Sequence, residues 1–229
     1  MIKQLGRWAW IGGGCLACIA GMINAIGFLG YSHQAVTHLT GTTSLLAIAL
    51  YELNTAALLH LGFVIASFFL GAALSGMIIE RESLRLGRRY GVALAIEGLL
   101  LVAAAFLMRG RFEAGAYLAS AACGLQNAMA STYSGTLLRT THLTGMITDL
   151  GSAVGHALRG LEVDHLRMKL CLLVVSSFAL GGIGGAALFH YFQSDALFFP
   201  AFFTLFIALA YTSYAQSQHK LTQARREKI

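Results

Sequence analysis

Six apolar runs, at about residues 8–30, 55–79, 90–108, 114–131, 170–192 and 196–214, divide the chain. Each is long enough, as a helix, to cross about 30 Å of hydrocarbon. None alternates with the period of two that a barrel strand requires. Two shorter segments, 39–51 and 143–158, are apolar but open on polar residues. They follow stretches that do not read as helix, Tyr31–Thr37 and Tyr133–Thr141. Seven extended residues, 31–37, descend about 23 Å, and the helix at 40–51 climbs back about 18 Å. The pattern predicts an all-α polytopic membrane protein with six transmembrane helices and two short re-entrant or broken helices whose starts lie near the bilayer middle.

The polar positions inside this pattern occur twice. Gly21-Met-Ile-Asn24-Ala25 followed by Thr37-His-Leu-Thr-Gly41 returns as Gly124-Leu-Gln-Asn127-Ala128 followed by Thr141-His-Leu-Thr-Gly145. Two further spans also correspond, Leu70-Gly-Ala-Ala-Leu-Ser-Gly76 with Leu180-Gly-Gly-Ile-Gly-Gly185, and small residues of that kind permit close helix contact. Repeat one is predicted at about 8–108 and repeat two at about 114–215 of a single membrane domain spanning 1–229. Three spans per copy make the second copy enter the membrane upside down. The prediction is therefore a 3+3 inverted repeat.

Composition agrees with the membrane assignment. Mean hydropathy is +0.68 and charged residues make up only 11%, against about a quarter in soluble domains. The early apolar run is too long and too glycine-rich for a cleaved signal peptide and carries a repeat motif, so it is read as the first span. The Lys and Arg residues then choose between topologies. If the short helices do not cross, 14 of the 16 fall on the amino-terminal side, with Arg109 and Arg111 on the other. If they do cross, the split falls to 11 against 5. Positive charge accumulates in cytoplasmic loops, so six spans are expected, with both termini cytoplasmic in a bacterial inner membrane and residues 216–229 as a basic cytoplasmic tail.

Discontinuous helices matched across an inverted repeat point to a binding site at the midplane. The open N–H groups around Thr40-Gly41 and Thr144-Gly145 would attract an anion or a polar oxygen, although the threonines also suit plain helix capping. His38 and His142 stand two residues earlier, able to donate, accept or titrate. Asn24 and Asn127 lie inside spans, where an amide must find a partner; they hold the broken backbone or touch substrate. Arg139 rests at a surface or at a pore mouth. Two acids in apolar sequence, Glu97 and Asp149, are coupling candidates because their charge is costly in hydrocarbon, with pairing to Arg139 the ordinary alternative for Asp149. His60, His156 and His190 have no counterpart and read as structural.

The spacing Cys15-x-x-Cys18 occurs in redox and zinc sites, but both cysteines lie in an apolar helix without a second pair and read as packing residues. No metal, cofactor or nucleic-acid partner is expected, and no nucleotide-binding fingerprint occurs. An enzyme would need one site; its candidate, Thr42 or Ser44 near His38, is repeated in polarity at Thr148, so no enzymatic activity is expected. The partners expected are the lipid bilayer and a small molecule or ion, with a homodimer suggested by the small-residue surfaces.

The arrangement of Asn-Ala before Phe-Leu-Gly, then Thr-His-Leu-Thr-Gly leading an apolar helix, resembles the YoaK family of six-span bacterial inner-membrane proteins. The resemblance extends over nearly the whole chain. It implies a six-span membrane protein and no particular activity. In that family the first motif usually reads Thr-Gly-Asn and an acid often stands at the position of Asn24; here Thr42 follows Gly41 and the site is neutral. The repeat itself points to a secondary transporter or exporter of a small polar or anionic solute. A passive channel of the same architecture, and a sensor or scaffold that moves nothing, are the competing expectations.

Overall fold

A computed structural model of the chain describes residues 7–30, 37–79, 88–134 and 139–226. Lys3, the descents assigned to 31–36 and 135–138, Arg81 and Arg85 of the basic loop, and Lys228 of the tail lie outside the described residues.

Helix is the one regular element among the described residues, with no strand among them. In order they form α1 (Arg7–Gly30), α2 (Leu39–Tyr51), α3 (Thr55–Ile78), α4 (Arg88–Arg109), α5 (Ala114–Ser134), α6 (Leu143–Leu158) and α7 (His165–Phe192). A 3-10 turn (Gln193–Leu197) then leads into α8 (Phe198–Arg226). Among the described residues four stretches are long and apolar enough to cross a membrane: Trp10–Gly30, Thr55–Ile78, Arg89–Arg109 and His165–Gln216, the last running through α7 and the turn into α8. The run at 114–131 forms α5 with the length of a span, 21 residues. It stays outside that set because Ser120, Gln126 and Asn127 lower its hydropathy, and these are the groups it turns toward its neighbours. The protein is thus a helical membrane protein.

Two helix pairs dominate the packing, α1 with α7 and α3 with α5. Both run parallel. Along the first, Gly14 meets Leu173 and Ser177, Gly185 meets Met22, and Gly30 meets Phe189. Along the second, His60 meets Tyr117, and Ser120 donates to the Val64 carbonyl at 2.9 Å. The crossings of the two pairs are built alike. A Cβ at Gly21 would collide with the Phe178 carbonyl, and one at Gly181 with the Cys18 carbonyl. Likewise a Cβ at Gly124 would collide with the Phe68 carbonyl, and one at Gly71 with the Ala121 carbonyl. Cys18 and Ala121, like Gly21 and Gly124, stand 103 residues apart; Phe68 and Phe178, like Gly71 and Gly181, stand 110 apart. Only glycine lets two backbones approach this closely.

The short helices repeat the correspondence. α2 packs on α3 and α6 on α7. The turn out of α2 has Leu53 N–H bonding to the Leu50 carbonyl and Asn54 N–H to Ala49; the turn out of α6 has Gly160 to Ala157 and Leu161 to His156. Leu53 and Gly160 occupy the same left-handed position, with φ of 55° and 70°. Asn54 then caps α3 by accepting from Ala57 N–H, and Asp164 caps α7 by accepting from Leu166 and Arg167.

Helix directions follow from which ends meet. α4 and α8 are antiparallel, since Gly91 meets Thr212, Gly98 meets Leu205, and the Phe106 and Phe198 rings lie 5.0 Å apart. α1 and α4 finish at the same end, where Gly30 abuts Met108. Here Ile19, Ile23 and Ile26 of α1 join Leu101 and Ala105 of α4, Ala116 and Ala119 of α5, and Leu197 in the main core.

Candidate functional site

His38 and His142 are the N-cap residues of α2 and α6, with matching non-helical backbone (φ −94°, ψ 64° and φ −91°, ψ 53°). Their carbonyls accept the first helical bonds, from Thr42 N–H at 3.1 Å and Met146 N–H at 3.2 Å. Neither side chain caps its helix. Each ring instead folds over the glycine three residues on: a Cβ at Gly41 would stand 2.6 Å from His38 Cδ2, and one at Gly145 would collide with His142 Nε2. That contact explains the His-x-x-Gly spacing. Thr40 and Thr144 are exposed in the first turn and are not the caps. With neither N-cap side chain closing its helix start, the leading N–H groups of both form polar, partly positive ends.

Each start is tied to the bundle by a threonine. Thr37 donates to the Asn24 amide oxygen at 2.6 Å. In the second copy the matching bond uses the residues one position earlier than the motif suggests: Thr140 donates to the Gln126 amide oxygen at 3.4 Å. The Gln126 amide nitrogen donates to the Leu16 carbonyl of α1 at 3.0 Å. Asn127, matched to Asn24 by sequence, has its amide oxygen buried without a partner among the described residues. The two tie points, Leu16 and Asn24, are separated by about 12 Å along α1 at 1.5 Å per residue. Both helix starts are therefore anchored to α1, directly or through α5. Neither short helix packs substantially on the other among the described residues.

Of the acids, Glu97 is fully buried in α4, and neither carboxyl oxygen has a partner among the described residues. Asp149 is half-exposed on α6 and is paired with Arg167 of α7, whose Nε and Nη2 donate to one of its oxygens at 3.2 and 2.8 Å. The ordinary expectation of an Asp149–Arg139 pair is corrected. α7 packs beside α6 and brings Arg167 there, whereas Arg139 precedes α6 and is exposed, its carbonyl accepting from His142 N–H at 3.4 Å. Around Asp149 a cleft of about 180 Å³ is lined by Ser152, His156, Glu162, Asp164, Arg167 and Cys171.

A family model described as a protein of unknown function, DUF1275, matches residues 13–210. The chain belongs to that family. The match takes in every helix of the DUF1275 chain, at least in part, and both His-Leu-Thr-Gly motifs. No curated protein and no solved structure matches it.

The structure also places groups that the sequence reading of this DUF1275 member passed over. His60 of α3, read as structural and without a counterpart in the other copy, lies 3.0 Å from the Tyr117 hydroxyl of α5 and 3.2 Å from Oε2 of Glu113, just before that helix. Arg109 approaches Asp195 at 3.6 Å at the same end of the bundle. Glu113 and Asp195 lie in connections outside the apolar runs, and their partners are distant in sequence. Cys15 and Cys18 are free thiols, as are Cys123 and Cys171. Among the described residues no group of three His, Cys, Asp or Glu forms a metal site.

Proposed function

We propose that this DUF1275 member is a secondary transporter of a small polar or anionic solute, built as two inverted halves of three spans each in a bacterial inner membrane. The observation that carries this reading is the exchange symmetry of the packing. The first helix of each half rests on the third helix of the other, through Gly21 and Gly181 in one crossing and Gly124 and Gly71 in the other. Helix direction supports six spans. Were α5, α6 and α7 all to cross, α8 would run parallel to α4; it runs antiparallel, and α6, about 24 Å long at 1.5 Å per residue, is the element too short to reverse the chain. The shared end of α1 and α4 makes the same case for α2. The inverted halves each contribute an uncapped helix start, the arrangement by which discontinuous helices in transporters attract an anionic or polar group. The exposed His38, Thr40, His142 and Thr144 are its substrate-facing candidates.

Reconstitution of the full chain into liposomes, followed by uptake of a panel of labelled small organic anions and neutral polar solutes, tests this. The expected outcome is saturable uptake of one solute class, accelerated by the same solute inside, and reduced at least about tenfold, or about 1.4 kcal/mol, by His38→Ala together with His142→Ala. Flux that rises linearly with concentration identifies a channel. Tight binding with no flux identifies a sensor.

A further inference from the structure

The exchange that relates the two halves is broken at one place. α4 packs against α5 along much of its length, whereas the matched pair, α8 and α1, touches only slightly. One seam is closed and its counterpart is loose. In an inverted repeat the opposite arrangement is available to the same chain, with the α1–α8 seam closed and the α4–α5 seam open. What decides between them must act differently on the two seams, and the polar content of the closed one is asymmetric. Glu97 lies in α4 with both carboxyl oxygens buried and without a partner among the described residues. Cys123 of α5, itself fully buried, is a titratable neighbour of Glu97.

Among the described residues, the other packed elements offer Glu97 no balancing charge. On α8 its level is marked by Leu205 against Gly98, with Thr204 donating to its own helix at Pro200; Tyr211, the nearest titratable group on that helix, is six residues further on. Asp195 of the 3-10 turn faces Arg109 at the far end of α4. On α3 the titratable residue among the described ones is His60, held by Glu113 and Tyr117. An uncompensated carboxylate in apolar surroundings is costly. The closed seam therefore has the geometry of a carboxylic acid carrying its proton.

We propose that Glu97 is a proton site controlling the α4–α5 seam: the proton-loaded acid holds the seam closed, and release of the proton opens it toward water. The use of this site for coupling rests on the transporter reading; the proton site itself does not.

The test uses the full chain in lipid with Cys15, Cys18 and Cys171 replaced by Ala, leaving Cys123 as a thiol in the seam. Alkylation of Cys123 by N-ethylmaleimide is followed against pH and compared at each pH with the Glu97→Gln variant, which cancels ordinary thiol reactivity. Wild type is expected to label faster than Glu97→Gln as pH rises. The ratio should climb by up to about tenfold per pH unit, the limit for one coupled proton, and Glu97→Asp should keep the dependence. Equal labelling of wild type and Glu97→Gln at every pH overturns the proposal. Should Glu97→Gln fail to fold, the infrared carbonyl band of a protonated carboxyl in wild type decides: a band that disappears at alkaline pH supports the site, and its absence overturns it. A titrating seam without solute flux removes the transporter reading and leaves the proton site; solute flux with an unresponsive seam does the reverse.

Discussion

Gly71 and Gly181 have the same task at the two long crossings, and each faces a backbone carbonyl that cannot yield. A methyl group at either position must push helices apart, so Gly71→Ala and Gly181→Ala should each lower stability by about 1–3 kcal/mol. Thermal unfolding in detergent measures this, and near-equal losses are the expected result. Leu53 makes the opposite case. It holds a left-handed backbone with φ of 55° and an exposed side chain, where the equivalent turn uses Gly160. Leu53→Gly should leave stability unchanged or raise it by up to about 1 kcal/mol, relief of backbone strain offsetting the greater freedom of the unfolded chain. The glycine positions were legible because sterics leave a direct mark on sequence. The histidine motif was legible as a repeat but not in its cause: the ring of residue i lying over the glycine at i+3 is invisible until the N-cap is located.

At the level of elements, the short helices are tied by side-chain amides, and here sequence matching misplaced the contact by one residue. Asn127 aligns with Asn24, yet Gln126 carries the bond to Thr140 because α5 turns that face toward α1. The two positions should respond differently. Gln126→Leu should cost about 1–3 kcal/mol, since Thr140 loses a buried partner. Asn127→Leu, removing an amide whose oxygen has no partner among the described residues, should be neutral or stabilising. A pair of melting curves decides, and a larger loss at Asn127 would reverse the assignment. The ion pair of Asp149 with Arg167 is half-exposed, at 38% and 56% of the two side chains. Arg167→Ala should therefore cost under about 1 kcal/mol. Its partner was not legible because Asp149 has an arginine nearby in sequence, and only the packing of α6 on α7 selects the other. Most helix boundaries were read within about three residues, since apolar length and turn polarity carry that information locally; α7 opens at His165 and α8 continues to Arg226 because their polar ends lie outside the apolar runs.

For the whole molecule, the apolar pattern established a helical membrane protein, and the duplicated motif pointed to the pairs of residues that recur at both crossings. The asymmetry between the two seams left no trace in the pattern, because it is a property of one conformation and not of the composition. What most directly decides between inverted halves and a uniform succession of crossings is the sidedness of the two turns that follow α2 and α6. Single cysteines at Tyr51 and Gly160, in a cysteine-free background in intact cells, are labelled with a membrane-impermeant maleimide from each face. Inverted halves put Tyr51 on the periplasmic face and Gly160 on the cytoplasmic face. Labelling of both from the cytoplasm would mean that the short helices cross, and would contradict the inverted arrangement on which the proposed transport site depends.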